Sequence, residues 1–296
     1  MKYLSAIEMA QRWNLSERSI RNYCANGRIS GAVLEGKTWR IPENAKKPDR
    51  KKRTAKIPVD LLERLKLEKE TNLSGGIYHK IQIELTYNSN YIEGSRLTHD
   101  QTRYIFETNT IGIQDAAVNV DDIVETTNHF RCIDLVIDQA NHTLSEAFIK
   151  QLHLILKSGT SVSRKSWFAV GEYKRLANEV DGKETTQPKE VASQMKALVR
   201  EYNTIKEKTL FDLIDFHYKF EKIHPFQDGN GRVGRLILFK ECLKSSIVPF
   251  IIEDDMKEFY YRGLSEWKNE QGYLMDTCLT AQDSFKVYMD YFGLRY

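Results

Sequence analysis

From Val59 onward, apolar residues recur at spacings of three and four, the period of a helix that turns one face to a core. The run SEAFIKQLHLILKSG (145–159) predicts a buried stripe of Phe148, Leu152, Ile155 and Leu156, with His153 packed inside it. A second run, LFDLIDFHYKFEKI (210–223), has the same period and carries His217, again read as a packed core histidine. Thr98-x-x-Gln101 and Thr143-x-x-Glu146 fit the capping-box pattern and predict two helix starts. Between the two runs the period breaks. WFAVGEYKRLANEVDGKETT (167–186) holds Gly171, β-like residues and an Asp181-Gly182 turn, which predicts a hairpin on a helical scaffold. An isolated hairpin stabilises little by itself, so its expected use is to cover or hold something.

The first 45 residues follow a different plan. Ser5 with Glu8 forms a capping box before AIEMAQRW; Ser16 is placed to cap ERSIRNYCAN, which ends at Gly27. GAVLEGKTWRIP (31–42) then reads as two short strands around a Glu35-Gly36 turn, closed by Pro42. Helix, turn, helix and hairpin make a winged helix-turn-helix.

Charge separates the two parts. Residues 1–56 contain 14 Lys/Arg and five Asp/Glu, a net of +9, while the remaining 240 residues are net −6, which gives +3 overall. A basic module on an acidic body is implied, joined by the lysine-rich stretch 46–58. The expected domains are thus a winged helix-turn-helix (1–45), a basic linker (46–58) and a helical body (59–296). On the second helix Arg18, Arg21 and Asn22 could meet a major groove, with Lys37 and Arg40 of the wing on phosphates. The module resembles the small DNA-binding domains of MerR-type regulators and excisionases. Four scattered cysteines without a CxxC pair imply free thiols in a reducing cytoplasm and no zinc site. No run of about eighteen apolar residues suggests a membrane span, and the N-terminus lacks an export signal.

The candidate chemistry sits in IHPFQDGNGRVGR (223–235). Gly229 and Gly231 around Asn230 allow positive φ, so that consecutive N–H groups turn inward as an anion site. The helical segment that follows puts this loop at a helix N-terminus, where phosphate binds readily. Arg232 and Arg235, three apart, add bidentate donors for phosphate oxygens. Asp228 at the rim is an oxygen ligand suited to Mg²⁺, and His224 could take a proton from a hydroxyl. Phe226 is expected to point into the core. No G-K-[ST] follows, so this is not a Walker A loop.

His224-Pro225-Phe226-x-Asp228-Gly229-Asn230-Gly231-Arg232-x-x-Arg235 resembles the signature of Fic-domain proteins, which transfer AMP from ATP to a protein hydroxyl. The resemblance covers roughly residues 77–290. It implies a mainly α fold, a Fic-type helical bundle with a β-hairpin flap, preceded by the winged domain. It also implies His224 as general base, Asp228 as Mg²⁺ ligand and ATP as substrate, held by Gly229, Asn230, Gly231, Arg232 and Arg235. The 167–186 hairpin resembles the family's flap, which docks the target peptide by strand pairing, with Asn178, Glu179, Val180 and Asp181 nearest the nucleotide. Tyr260 and Tyr261 resemble the tyrosines of the adenine pocket. SNYIEG, with Ser89, Glu93 and Gly94, resembles the inhibitory pattern, on a helix near 86–94, and implies that Glu93 occupies Arg235 in place of the γ-phosphate. Two positions depart from the family pattern: Ser95 where asparagine is common, and Lys174 where arginine is frequent.

The resulting expectation is an autoinhibited, Mg²⁺-dependent protein adenylyltransferase. It would modify a Ser, Thr or Tyr hydroxyl of a protein target or of itself, and would also contact DNA, with a homodimer plausible. A kinase of the same fold is disfavoured, because Gly231 stands where such relatives carry lysine. Other nucleotide donors, removal of AMP by a water that Glu93 orients, and a regulator whose body only senses nucleotide stay open.

Overall fold

The computed structural model describes residues 2–36, 38–48, 58–112, 117–180 and 182–296. They form two compact units, Met1–Lys56 and Ile57–Tyr296.

The first unit is built from β1 (Tyr3–Ser5), α1 (Ala6–Trp13), α2 (Glu17–Ala25), β2 (Val33–Glu35) and β3 (Thr38–Pro42). Ser5 and Glu8 close the capping box, and Ser16 accepts from Ser19 N at the start of α2. Asn14 takes a left-handed conformation and ends α1, the turn expected at NLS. The sheet runs β1-β3-β2, all antiparallel, with Leu4 opposite Ile41 and Leu34 opposite Trp39. Strand β1 was not expected; three residues before a helix are too few to show a period. Met9, Ile20, Cys24, Ile29 and Ile41 form a core separate from that of the body.

The second unit is helical: α3 (Leu61–Thr71), α4 (Ile77–Ile92), α5 (His99–Thr108), α6 (Val120–Asp138), α7 (Glu146–Lys157), α8 (Pro188–Thr204), α9 (Leu210–Ile223), α10 (Asn230–Lys244), α11 (Lys257–Glu266) and α12 (Gly272–Tyr291). The Arg295 N–H donates to Val59 O at 2.9 Å and ties the end of the unit to its beginning. Every residue of α10 from Asn230 to Leu243 is buried, so this helix is the axis of the unit. Helices α4, α6, α7 and α9 pack around it. A helix enclosed on all sides must find partners for its charges. Lys240 donates to Glu241 at 2.6 Å and to His142 O at 2.7 Å, while the Tyr202 hydroxyl donates to Glu241 at 3.0 Å.

Several expectations change. The start of α7 is capped by Ser145, whose hydroxyl accepts from Phe148 N at 3.2 Å, so Thr143-x-x-Glu146 is not the box. Serine directly before the first turn reaches the free amides better than threonine two residues earlier. Thr209 and Asp212 form a box that the pattern reading did not name. On α7, Phe148, Leu152 and Leu156 are buried and Ile155 is partly so, while Lys157 lies deeper than Ile155. The flap is shorter than 167–186: only Glu179–Val180 (β4) and Lys183–Glu184 (β5) pair, and the rest is turns and irregular backbone. All four cysteines are free and buried. Among the described residues, no helix is long and apolar enough to cross a membrane.

Candidate active site

The loop 224–229 leaves α9 and enters α10 through two left-handed residues, His224 (φ 51) and Gly229 (φ 83). Asn230 holds the loop in shape. Its Oδ1 accepts from Phe226 N at 2.8 Å and its Nδ2 donates to Phe226 O at 2.9 Å. The Asn230 side chain thus holds the loop backbone at both its oxygen and its nitrogen. Phe226 is fully buried and stacks on His153, with ring centroids 4.0 Å apart and planes at 6°. His153 in turn pins two segments: Nε2 donates to Asp228 O at 3.1 Å and Nδ1 accepts from Gly171 N at 2.9 Å. Burial lowers the pKa of His153 to about 3, which keeps the ring neutral in this donor–acceptor role.

Gly229 is the N-cap of α10 and no side chain satisfies the first amides of the helix, so the anion-binding end is free of a protein cap. Gly231 differs from the expectation. It lies within the helix and its φ is not positive; what it supplies is room. A β-carbon there would sit 3.0 Å from Glu93 Cδ, closer still to Glu93 Oε1, and 2.9 Å from Arg235 Nη1. The Glu93 carboxylate thus lies directly on the glycine.

Glu93 caps the C-terminus of α4 and pairs with Arg235 at 2.8 Å. Arg235 also donates to Ser89 Oγ at 3.0 Å and to Ser89 O at 2.9 Å. Burial pushes the Glu93 pKa up, but Arg235 and then Arg232 outweigh it and hold the carboxyl below its ordinary value. Gly94 follows with φ 97 and lets the chain turn away. Ser89 and Glu93, one turn apart at the end of α4, are thus brought to Arg235 of α10, some 140 positions away in the chain.

Arg232 faces the other way. It is ion-paired with Glu125 of α6, comes within 3.9 Å of Asp228 and donates to Asn90 Oδ1 at 3.5 Å. Asp228 is bound by Lys157 Nζ at 2.6 Å and by Gly229 N at 2.6 Å. Burial would raise the Asp228 pKa; Lys157, then Arg232, bring it below the ordinary value. Among the described residues no group of three or more His, Cys, Asp and Glu side chains converges to hold a metal ion. A single carboxylate at a phosphate site suits Mg²⁺, which completes its shell with phosphate oxygens and water, so Asp228 fits that ion.

His224 is largely buried. Burial, with Lys174 nearby, lowers its pKa to about 4, so the ring is a neutral base at ordinary pH. Glu221, one turn earlier, has an oxygen 4.0 Å from His224 Nδ1 and is pushed up to about 8 by burial and then by Glu93.

The tyrosines part company. Tyr260 is 1% exposed, its hydroxyl is 2.6 Å from His217 Nε2 and its ring lies below Arg235 at 5.9 Å. It is buried beneath Arg235, and of the two tyrosines expected at the pocket it is Tyr261 that reaches the surface; two adjacent positions on α11 cannot face the same way. Tyr261 is partly exposed and donates to Ile92 O at 3.4 Å. In the flap, Asn178 Nδ2 donates to Phe226 O at 3.2 Å, and Glu179 and Val180 form the exposed strand. Asp181 lies outside the described residues. Lys174 is buried where it links flap and loop: its N–H donates to Pro225 O at 2.8 Å, and its ammonium donates to Asn178 at 2.7 Å and Thr185 at 2.6 Å.

On the first unit, Arg18, Arg21, Asn22 and Arg40 are exposed; Arg21 pairs with Glu17 at 2.7 Å and Arg40 with Glu35 at 2.9 Å. Lys37 lies outside the described residues. Sequence reading missed Glu125, Lys157 and Glu221. Each is a charged residue on a helix, and only charge on an otherwise buried face could have marked it.

Residues 143–241 match the model of the Fic/DOC family. The chain is 30% identical over 187 residues to a protein adenylyltransferase Fic of Drosophila melanogaster, covering 60% of this chain and 36% of that protein. It is 24% identical over 184 residues to a protein adenylyltransferase Fic of Nematostella vectensis, covering 61% and 42%. The chain therefore spans less than half the length of either relative. A crystal structure of a Fic domain containing signaling protein from Bacteroides thetaiotaomicron superposes with a TM-score of 0.59 at 24% identity, over 78% of this chain and 91% of that one. The body therefore shares the fold of that solved protein, and residues 143–241 within it match the family model.

Proposed function

From the premise that this chain carries a Fic domain, we propose that it is a protein adenylyltransferase held in check by its own Glu93. The observation that carries the reading is the meeting of Glu93 with Arg235 over Gly231, at the uncapped N-terminus of a buried helix. That terminus, with Arg232 and Arg235, is equipped for the phosphates of ATP. Neutral His224 takes the proton of a Ser, Thr or Tyr hydroxyl; the freed oxygen attacks the α-phosphate, and pyrophosphate leaves with the electrons of the broken bond. Asp228 is the residue that would hold Mg²⁺, which when bound neutralises charge on the phosphates. The β4–β5 hairpin, fixed by Lys174 and Asn178, presents an exposed strand to an extended target segment. Glu93 would deny Arg235 to the γ-phosphate.

The test supplies ATP labelled at the α- or the γ-phosphate to the wild type, Glu93→Gly and Glu93→Gly/His224→Ala. We expect α-label alone on protein, in the Glu93→Gly variant only. Transfer from the γ-position would mean a kinase, and no transfer with any candidate target would reject the reading. Replacing Glu93 is expected to raise the rate about 100-fold, the worth of a charge-assisted bond of about 3 kcal/mol.

A second activity is favoured by the first unit, whose compact fold exposes Arg18, Arg21 and Asn22 on α2 and Arg40 on β3. Binding to DNA through this face is proposed alongside the transferase activity.

A further inference from the structure

Lys157 is the last residue of α7, where a lysine ordinarily reaches into solvent beside the helix dipole. Here it is 2% exposed. Its ammonium bridges two carboxylates from different elements, Glu125 of α6 and Asp228 of the loop, the latter at 2.6 Å. The other Glu125 oxygen pairs with Arg232, which returns to Asp228 at 3.9 Å. Four charges, two of each sign, thus close a ring. The lysine stem passes beside Gly229, where an added β-carbon would come within 3.4 Å of its Cδ, and its Nζ stands 5.8 Å from the Phe168 ring centre. Two carboxylates sharing one small cation is an arrangement that, without the lysine, suits a divalent ion.

We propose that Lys157 is a resident cation that fixes the Asp228 side chain and keeps free divalent ions out of the Glu125–Asp228 pair. Asp228 has Oδ1 on Gly229 N and Oδ2 on Lys157, and its side chain is half exposed on the outward side. A metal ion reaching it from solvent finds one carboxylate instead of two and an ammonium beside it. Mg²⁺ gives up its water reluctantly, so that is a poor site until phosphate oxygens join it. The consequence is that metal enters with nucleotide and not before it. Lys157 is a positioning residue in this account. The inference rests on Asp228 as the metal ligand of the proposed transferase, but its readout needs neither nucleotide nor transfer, so the two can fail separately.

The measurement is a titration of the full chain with Mn²⁺, without nucleotide, following free Mn²⁺ by electron paramagnetic resonance. The wild type should show no saturable site below about 1 mM. Lys157→Met should gain a site at least about tenfold tighter, the size of effect expected for groups that control a metal ligand. Adding Asp228→Asn or Glu125→Gln to Lys157→Met should abolish the gain, and Lys157→Arg, which keeps the charge, should show none. A wild type that binds Mn²⁺ saturably at micromolar concentration overturns the proposal. So does a Lys157→Met protein that melts cooperatively yet binds Mn²⁺ no better than the wild type. If Lys157→Met does not fold, the wild-type titration decides alone.

Discussion

Replacing Gly231 with alanine tests whether Glu93 lies where the structure places it. In an ordinary helix interior, glycine to alanine stabilises by about 0.5–1 kcal/mol. At position 231 the new methyl would stand 3.0 Å from Glu93 Cδ and nearer to Oε1, against 3.4–4 Å for ordinary contact. The carboxylate must withdraw, and its 2.8 Å bond to Arg235 goes with it. Overpacking costs about 1–3 kcal/mol and a charge-assisted bond is worth about 1.5–3 kcal/mol; relief of one is at the expense of the other. A net loss of about 2 kcal/mol is expected, a fall of about 4–8 °C in the melting temperature of the body. With Glu93→Ala already present, only the flexible end of Arg235 obstructs the methyl, so the same change should cost under about 1 kcal/mol. Scanning calorimetry on the wild type, both single variants and the double variant gives the coupling. Additivity within about 0.5 kcal/mol would refute the placement of Glu93 on Gly231 and with it the inhibitory contact.

Three further outcomes follow from the structure. Asn230→Ala leaves the Phe226 N–H without its bond and should cost about 1–3 kcal/mol, read as a lower urea midpoint; an unchanged midpoint would mean the amide does not hold the loop. Burial holds His129, His153 and His217 at about 3 and His224 at about 4, whereas unfolded imidazoles titrate near 6.5. Unfolding thus takes up protons between about pH 6.5 and 4, and stability falls as pH drops through that window, by at most about 1.4 kcal/mol per ring per pH unit. Glu221, at about 8, acts in the opposite sense, since its contribution is present below 4.5 and lost as pH rises through 8. Four rings outweigh one carboxyl, so the urea midpoint should be lower at pH 5 than at pH 7; an equal or higher midpoint contradicts the buried neutral rings. Finally, DNA affinity should fall with salt, and Arg18→Ala or Arg40→Ala should each reduce the logarithmic slope by about 1, while a flat response would reject DNA contact by this face.

The sequence by itself determined the helical body, the first-unit helices and the loop 224–229, because each rests on local rules. Spacing of three and four sets a helix, Ser5 and Ser16 cap the next residues, and Gly229 alone among its neighbours reaches φ 83 without strain. His224, Asp228 and both arginines were legible as chemistry because they are crowded into one motif. Tertiary structure decided what each of them faces. Gly231 looked like a conformational glycine and proved to be a spatial one, since its neighbour Glu93 comes from a helix some 140 positions away in the chain. Nothing in the sequence singles out Lys157 at the end of α7; enclosure between α6 and the loop makes it the partner of two carboxylates. Tyr260 and Tyr261 are indistinguishable in sequence, yet one side of α11 meets His217 and the other meets solvent. The reason is the same in each case: a periodic pattern reports whether a position is covered, whereas the charge that covers it is supplied by a distant segment, and that pairing exists only once the helices have packed.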